Sequence, residues 1–421
     1  MMRFKKILST AAIGAVSVGV LAGCSGGGSG ADDENTLVLW SVTQETTHSN
    51  AMKTLIDQFE EENPGVKVIV EERAVDEHKN AMRQSAGTDS GPDIYRYWEG
   101  YGQGGELVLA DVSLDLTDYY KEYGWEDRFT PAAMAGITQY GGYHGVPMIQ
   151  AVEGLYYNKA LFEEAGITDL PTTYDELVAA ADKLVAAGIT PIEFGGTVNW
   201  HVMRLLDAIV ETKCGAETAD ALNTGDGDWS TEPCVTEAFT ELKKWGDNYI
   251  NEGFMGISND DSSQLFFSGQ AAMALEGSWL NSQVVDNGMD PENVGIIPFP
   301  TGTGRLYGFG EALYITKSSE KADLAAKFID FFTSDEAQTS VDSAWSPISP
   351  NKNVAPAASD VLAPYWVDAL SKSTGLFVNN DQNFSTAVTG EYFRIQNSVL
   401  TGDIDPADAG AEFQKFRDAN K

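Results

Sequence analysis

The sequence predicts an α/β protein of two lobes, each a mostly parallel sheet flanked by helices, joined where the chain crosses from one to the other. Three observations lead there. The folded part opens with LVLW at Leu37–Trp40, a helical stripe through Met52, Leu55, Ile56 and Phe59 ending at Asn63-Pro64-Gly65, then alternating Val66, Val68 and Val70. Strand, helix, strand is the parallel crossover unit of an α/β sheet. The chain, at 421 residues, is also too long for one ordinary hydrophobic core. Midway, Tyr140–Gly166 (YGGYHGVPMIQAVEGLYYNKALFEEAG) loosens at Gly141, Gly142 and Gly145, stiffens at Pro147, and runs apolar through Leu155 and Tyr157. It then enters a helix at Asn158 that Gly166 closes. A segment built this way carries the chain from one compact half to another and leaves a cleft between them.

The amino end has a basic start (Arg3, Lys5, Lys6), an apolar middle over residues 11–22 and small residues before Cys24. That apolar run is too short for a bilayer core of ~30 Å, so residues 1–23 read as an export signal. Leu21-Ala22-Gly23-Cys24 resembles the bacterial lipobox, which implies cleavage before Cys24 and a diacylglycerol on its sulfur. Its two acyl chains suffice for stable anchoring. Residues 24–36, with SGGGSGADDE at Ser25–Glu34, read as a flexible tether. Losing the three positive charges of residues 1–23 takes the net charge from −36 to −39 and leaves about 398 residues. So acidic a chain repels nucleic acid, while 43% hydrophobic and 10% aromatic residues exclude disorder. With Cys24 lipidated, an exported chain most simply pairs the two cysteines left, Cys214 and Cys234, as a structural bridge.

Later elements follow in order. A short strand is expected at Pro92–Tyr95. A helix opens after Pro171, where Thr173 and Glu176 have capping-box spacing, with Leu177, Ala181, Leu184 and Val185 as its inner stripe and Gly188 as its stop. Pro191–Phe194 reads as a strand. Val235, Phe239, Leu242 and Trp245 line a helix, with Trp245 in the core. Leu265–Leu280 (LFFSGQAAMALEGSWL) reads as helix end, turn, buried strand and new helix. Val294–Pro298 and Gly308–Ile315 are strands, and Leu324, Phe328, Ile329 and Phe332 mark an amphipathic helix.

The crossover Tyr140–Gly166 resembles the hinge signature of the family 1 extracellular solute-binding proteins, the maltose-binding-protein-like sugar receptors of ABC importers. Leu265–Leu280 is similar to the family pattern F..G..AM...G.W. The resemblance covers nearly the whole chain after residue 36. It implies a periplasmic-binding-protein-like fold with a multi-strand hinge, the helix of Leu324–Phe332 returning towards the first lobe. The first lobe is then residues 37–147 plus about 312–345 and the second 148–311 plus about 346–421. It also implies capture of a neutral oligosaccharide and its delivery to a membrane permease, by a monomer lipid-anchored outside the cytoplasmic membrane of a Gram-positive bacterium. Neither catalysis nor a cofactor is expected.

Sugar rings offer apolar C–H faces and a rim of hydroxyls, so their sites need aromatic platforms with carboxylates and amides beside them. Tyr97, Trp98 and Glu99 are expected just beyond the Pro92–Tyr95 strand, where the family often contacts sugar, and Glu153 lies where the family often carries a ligand-bonding acid. Asn199, Trp200 and His201 follow Gly195-Gly196. Trp279, after the AM...G motif, is the stacking tryptophan the resemblance implies. Tyr307 and Glu311 flank the glycines of YGFGE, read as a loop open to a ligand. Trp345 in SAWSPISPN, Phe384 in NNDQNFST and Gln44 beyond LVLW complete the set.

An exported glycoside hydrolase could use carboxylate pairs, but acids this abundant make any pair uninformative. The G-x-S-x-G match at Gly23–Gly27 belongs to the lipobox and tether, and no H-E-x-x-H or phosphate loop occurs in the sequence. A receptor for glycerol phosphate or another anionic solute would need converging cations, for which Arg96, Arg204 and Arg305 are scattered candidates. Four histidines without paired spacing give no metal motif, and Asn223–Asp228 departs from the calcium-loop pattern.

Overall fold

In a computed structural model of the chain, residues 34–420 are described, apart from Glu45, Asp89, Ser343 and Ser346. The export signal, Cys24 and the tether up to Asp33 lie outside the described residues. The strands are β1 (Thr36–Val42), β2 (Lys67–Arg73), β3 (Ile94–Trp98), β4 (Gly145–Asn158), β5 (Thr190–Glu193), β6 (Ala271–Gly277), β7 (Val294–Ile297), β8 (Leu306–Ile315) and β9 (Leu376–Phe377). They join edge to edge in the order β2-β1-β3-β8-β4-β6-β5, with β7 beside β4 and β9 beside β8.

The parallel pairing expected from the crossover pattern holds at the outer strands, β1 with β2 and β3, and β5 with β6. The central strands pair antiparallel. β4 pairs with β8 over Gly145–Glu153 and with β6 over Glu153–Tyr157, while β8 also pairs with β3. A strand returning from the second lobe must run against the one that went out, so the sheet stays continuous across the molecule. β4 is buried from Gly145 to Tyr157, which is why it reads as an unbroken apolar run rather than an alternating one.

Each lobe has its own packed interior. Leu37, Leu55, Phe59, Trp125, Leu313 and Phe328 share one cluster, and Leu177, Leu184, Leu205, Trp245, Met273 and Phe413 share another. A third, with Val152, Tyr156, Phe266, Val294 and Trp366, covers the other face of the second lobe's strands. Asn158 caps its helix by accepting from the Ala160 and Leu161 amides at 3.0 and 3.2 Å, and Thr173 and Glu176 form the capping box. Val185 departs from the expected stripe and is exposed, because it lies about 100° around the helix from buried Leu184. Cys214 and Cys234 are bonded, joining the helix Asn199–Thr224, at its kink at Gly215, to the helix Pro233–Asn248.

Beyond the sheet, the lobes touch along two edges. Thr47 donates to Asp286 at 3.0 Å on one side. On the other, Asp381 accepts from Lys79 at 3.1 Å and Gln103 at 3.0 Å, and Thr386 donates to Glu106 at 2.6 Å.

Candidate ligand-binding site

Alternation along β3 decides which side chains reach the cleft. β3 extends to Trp98, beyond the expected Pro92–Tyr95, because its ladder with β8 continues to the Trp98–Glu311 pair. Directly opposed residues of an antiparallel pair share a face. Arg96, Trp98, Glu311, Phe309, Tyr307 and Glu153 therefore line one face of the shared strands, and Tyr97 and Glu99 fall on the reverse.

That parity corrects two expectations. Tyr97 packs in the first lobe's core against Tyr95 and His78. Glu99 is buried against Gly136 and Gly310, where a Cβ would come within 1.6 and 2.2 Å of its carboxylate. Burial, with Glu311 nearby, pushes the Glu99 carboxyl up to about 8. The glycines of YGFGE thus lie inside β8, and Gly310 makes room for the protein's own acid rather than for a ligand.

Further along the front face, Trp98 lies under Lys79, whose Nζ is 4.5 Å from the ring centroid. Arg96 pairs with Glu311. Trp279 stands just before the helix Leu280–Asp286 and packs against Phe309 at 5.6 Å, so a second-lobe side chain touches the first lobe's cluster. Its ring folds back over Gly277, where a Cβ would lie 1.9 Å away. The Trp279 indole N–H donates to Glu276 at 3.1 Å.

Glu276 also accepts from Arg204 at 2.6 Å and from Asn259 at 2.9 Å. The Arg204 guanidinium lies 4.9 Å from both the Trp200 and the Trp279 ring centroids. Its Nε approaches Glu153 to 3.3 Å without the alignment of a hydrogen bond. Burial raises the Glu153 carboxyl to about 8 despite the opposing pull of Arg204. Trp98, Trp200, Trp279, Glu153 and Glu311 thereby lie on the strands and helices that face each other where the lobes meet.

Other expected residues lie elsewhere. Phe384 is 3% exposed among Trp229, Tyr392 and Phe413, and Trp345 is 3% exposed against Phe332 in the first lobe's interior. Tyr307 is buried under Phe377, stacked at 4.7 Å, and donates to Asp207 at 3.0 Å. Asn199 binds Asn397 at 2.6 Å, and Gln44 turns back to the Val42 carbonyl. His201 is fully buried, and its Nδ1 accepts from the Gly195 amide at 3.0 Å.

Glu193, His201 and Glu276 have ligating atoms within 4.8 Å of one another. That set suits a cation poorly. With Nδ1 accepting a backbone proton, the neutral imidazole carries its own proton on Nε2, which faces Glu276 at 3.3 Å. Arg204 already balances Glu276.

Sequence reading missed Lys79, Glu276 and Phe309, and it did not place Arg96 and Arg204 in the cleft. Glu276 sits inside the AM...G.W motif itself, at the end of a buried strand; an acid in that position was a legible signal.

A continuous sheet joining two cored lobes, with tryptophans and paired charges facing each other across the gap, defines a two-lobed binding protein. Residues 44–339 match the family model described as bacterial extracellular solute-binding protein, and the chain belongs to that family. It is 24% identical over 411 residues to the multiple sugar-binding protein of Streptococcus mutans, covering 94% of this chain and 95% of that one. It is 25% identical over 354 residues to the maltodextrin-binding protein MdxE of Bacillus subtilis, covering 80% and 78%. Among solved structures, a chitin oligosaccharide binding protein superposes with a TM-score of 0.83 at 26% identity, over 91% of this chain and 98% of that one. No helix among the described residues is long and apolar enough to cross a membrane.

Proposed function

We propose that this protein is the sugar-capturing receptor of an ABC importer. It is exported, held at the outer face of the cytoplasmic membrane by diacylglycerol on Cys24, and works as a monomer that binds and does not transform its ligand. The lobes are residues 37–147 with about 312–345, and 148–311 with about 346–421. They close on a neutral oligosaccharide and pass it to the permease.

One observation carries this reading. Beside Trp200 and Trp279, buried polar atoms are left without an aligned hydrogen bond from the protein: both Glu153 oxygens and Trp200 Nε1. Buried polar groups are normally satisfied, and hydroxyls flanking an apolar ring face would satisfy these donors and acceptors together. The cations of the cleft already have partners, Arg96 in Glu311, Lys79 in Asp381 and Arg204 in Glu276. Arg305 is held by Glu211 and Asp220. An anionic solute would have to break one of these pairs, whereas an uncharged one leaves them intact. The sugar ligands named for the relatives agree with this chemistry.

Titration calorimetry against di- to tetrasaccharides tests the proposal. Binding of at least one neutral oligosaccharide at micromolar or tighter affinity is expected. Tight binding of glycerol phosphate, with no response to any sugar, would overturn it. Replacing Cys24 by Ala should release the protein into the medium; retention on the membrane would count against the anchor.

A further inference from the structure

We propose that Arg204 is a positioning residue: its guanidinium fixes the Trp200 and Trp279 rings for the ligand instead of bonding the ligand itself. This rests on the sugar-binding reading. Arg204 is 6% exposed and meets both rings at 4.9 Å, on the face where a cation interacts favourably with an indole. Glu276 takes the guanidinium Nη1 at 2.6 Å and the Trp279 N–H at 3.1 Å through the same carboxylate oxygen. Trp279 is therefore held at its edge by the acid and on its face by the base. Trp200, four residues before Arg204 on one helix, is held by its face.

The guanidinium does not act as a plug that a sugar pushes aside. Removing it from between the rings would strand Glu276, 2% exposed, without its cation, a change that is strongly unfavourable in a buried site. One face of each indole is thus committed to the protein, and the ligand stacks on what remains. Arg204 also offsets the charge of Glu276, which leaves the floor of the cleft suited to an uncharged ring.

The test removes both charges together. Arg204→Met with Glu276→Gln leaves no buried ion unpaired, because burial keeps the neighbouring Glu153 carboxyl protonated, so the fold is expected to survive. The near-UV circular dichroism contributed by Trp279, taken as the difference on Trp279→Phe, is recorded in the wild-type and double-variant backgrounds without ligand. Calorimetry then follows with maltotriose, xylotriose, triacetylchitotriose and raffinose. The Trp279 signal should shrink to about half or less in the double variant, and affinity for the best of the four sugars should fall about tenfold or more. Arg204→Lys, which keeps the charge but not the plane, should recover neither.

An unchanged Trp279 signal, or unchanged affinity in a wild type that binds sugar, overturns the assignment. Should the wild type bind none of the four sugars, the sugar reading is what fails, and the ligand-free spectrum still decides the role of Arg204. Should the double variant not fold, Arg204→Lys carries the same comparison.

Discussion

Trp279 and Phe384 are both large aromatic residues in polar-flanked segments, and only their surroundings separate them. Trp279 is half-buried where the two lobes meet, while Phe384 is enclosed by rings of its own lobe. Trp279→Ala is therefore expected to weaken sugar binding about tenfold with a small loss of melting temperature. Phe384→Ala should cost about 4 kcal/mol of stability, read by denaturant titration, while the folded fraction binds normally. The opposite pattern would exchange their roles.

Buried acids give a pH dependence with a definite sign. The Glu99, Glu153 and Glu193 carboxyls are each raised by burial to about 8 from an ordinary value of 4.5, so the folded chain holds protons that the unfolded chain releases. Stability from these groups is full below the ordinary value and is lost as pH rises towards 8. Burial lowers His48 and His78 from 6.5 to about 4, and stability from them is lost as pH falls through that interval. Between pH 6.5 and 8 only the carboxyl effect remains, so the melting temperature should fall across that window and Glu99→Gln should flatten the slope. An identical slope in the variant would remove Glu99 from the account. None of this was legible beforehand, since an acid at a strand end reads as solvated until the strand's parity is known.

At the level of elements, local rules were enough where local forces decide. The capping box at Thr173, the cap at Asn158 and the Val235–Trp245 stripe stand as read. The helix Asn199–Thr224 shows the limit. Its buried side carries Arg204, Asp207 and Glu211 at helical spacing, residues that by type belong in water. Each is accommodated by partners far along the chain: Glu276 for Arg204, Tyr307, Asn380 and Tyr392 for Asp207, and Arg305 for Glu211. Periodicity does not reveal such partners. The same helix is tied through Cys214 to the next helix across a sequence separation of 20. Replacing both cysteines by Ser should cost about 3 kcal/mol in the chain-entropy picture, with sugar affinity at 25 °C unchanged. A loss of affinity equal to that of the tryptophan variant would mean that the bridge shapes the cleft.

Across the whole molecule, the order of strands and helices announced two lobes, but the sequence did not show how they meet. Asp381 lies beside Asn380, which is anchored in the second lobe by Asp207, while its own carboxylate takes Lys79 and Gln103 from the first. Asp381→Asn should favour the open form. Small-angle scattering is expected to show a larger radius of gyration without ligand, and calorimetry about tenfold weaker binding, with the cleft tryptophans untouched. Equal compactness of variant and parent would show that this edge does not govern closure.

The β4–β8 ladder shifts register between Pro147 and Ile149, at a residue that has no amide proton to give. A continuous sheet interrupted at one rung folds there as card folds along a score line, while the intact rungs on either side keep the two panels flat. Closure that bends the sheet at this rung is expected to swing the lobes about a single axis, so that each captured molecule meets the same two walls at the same angle.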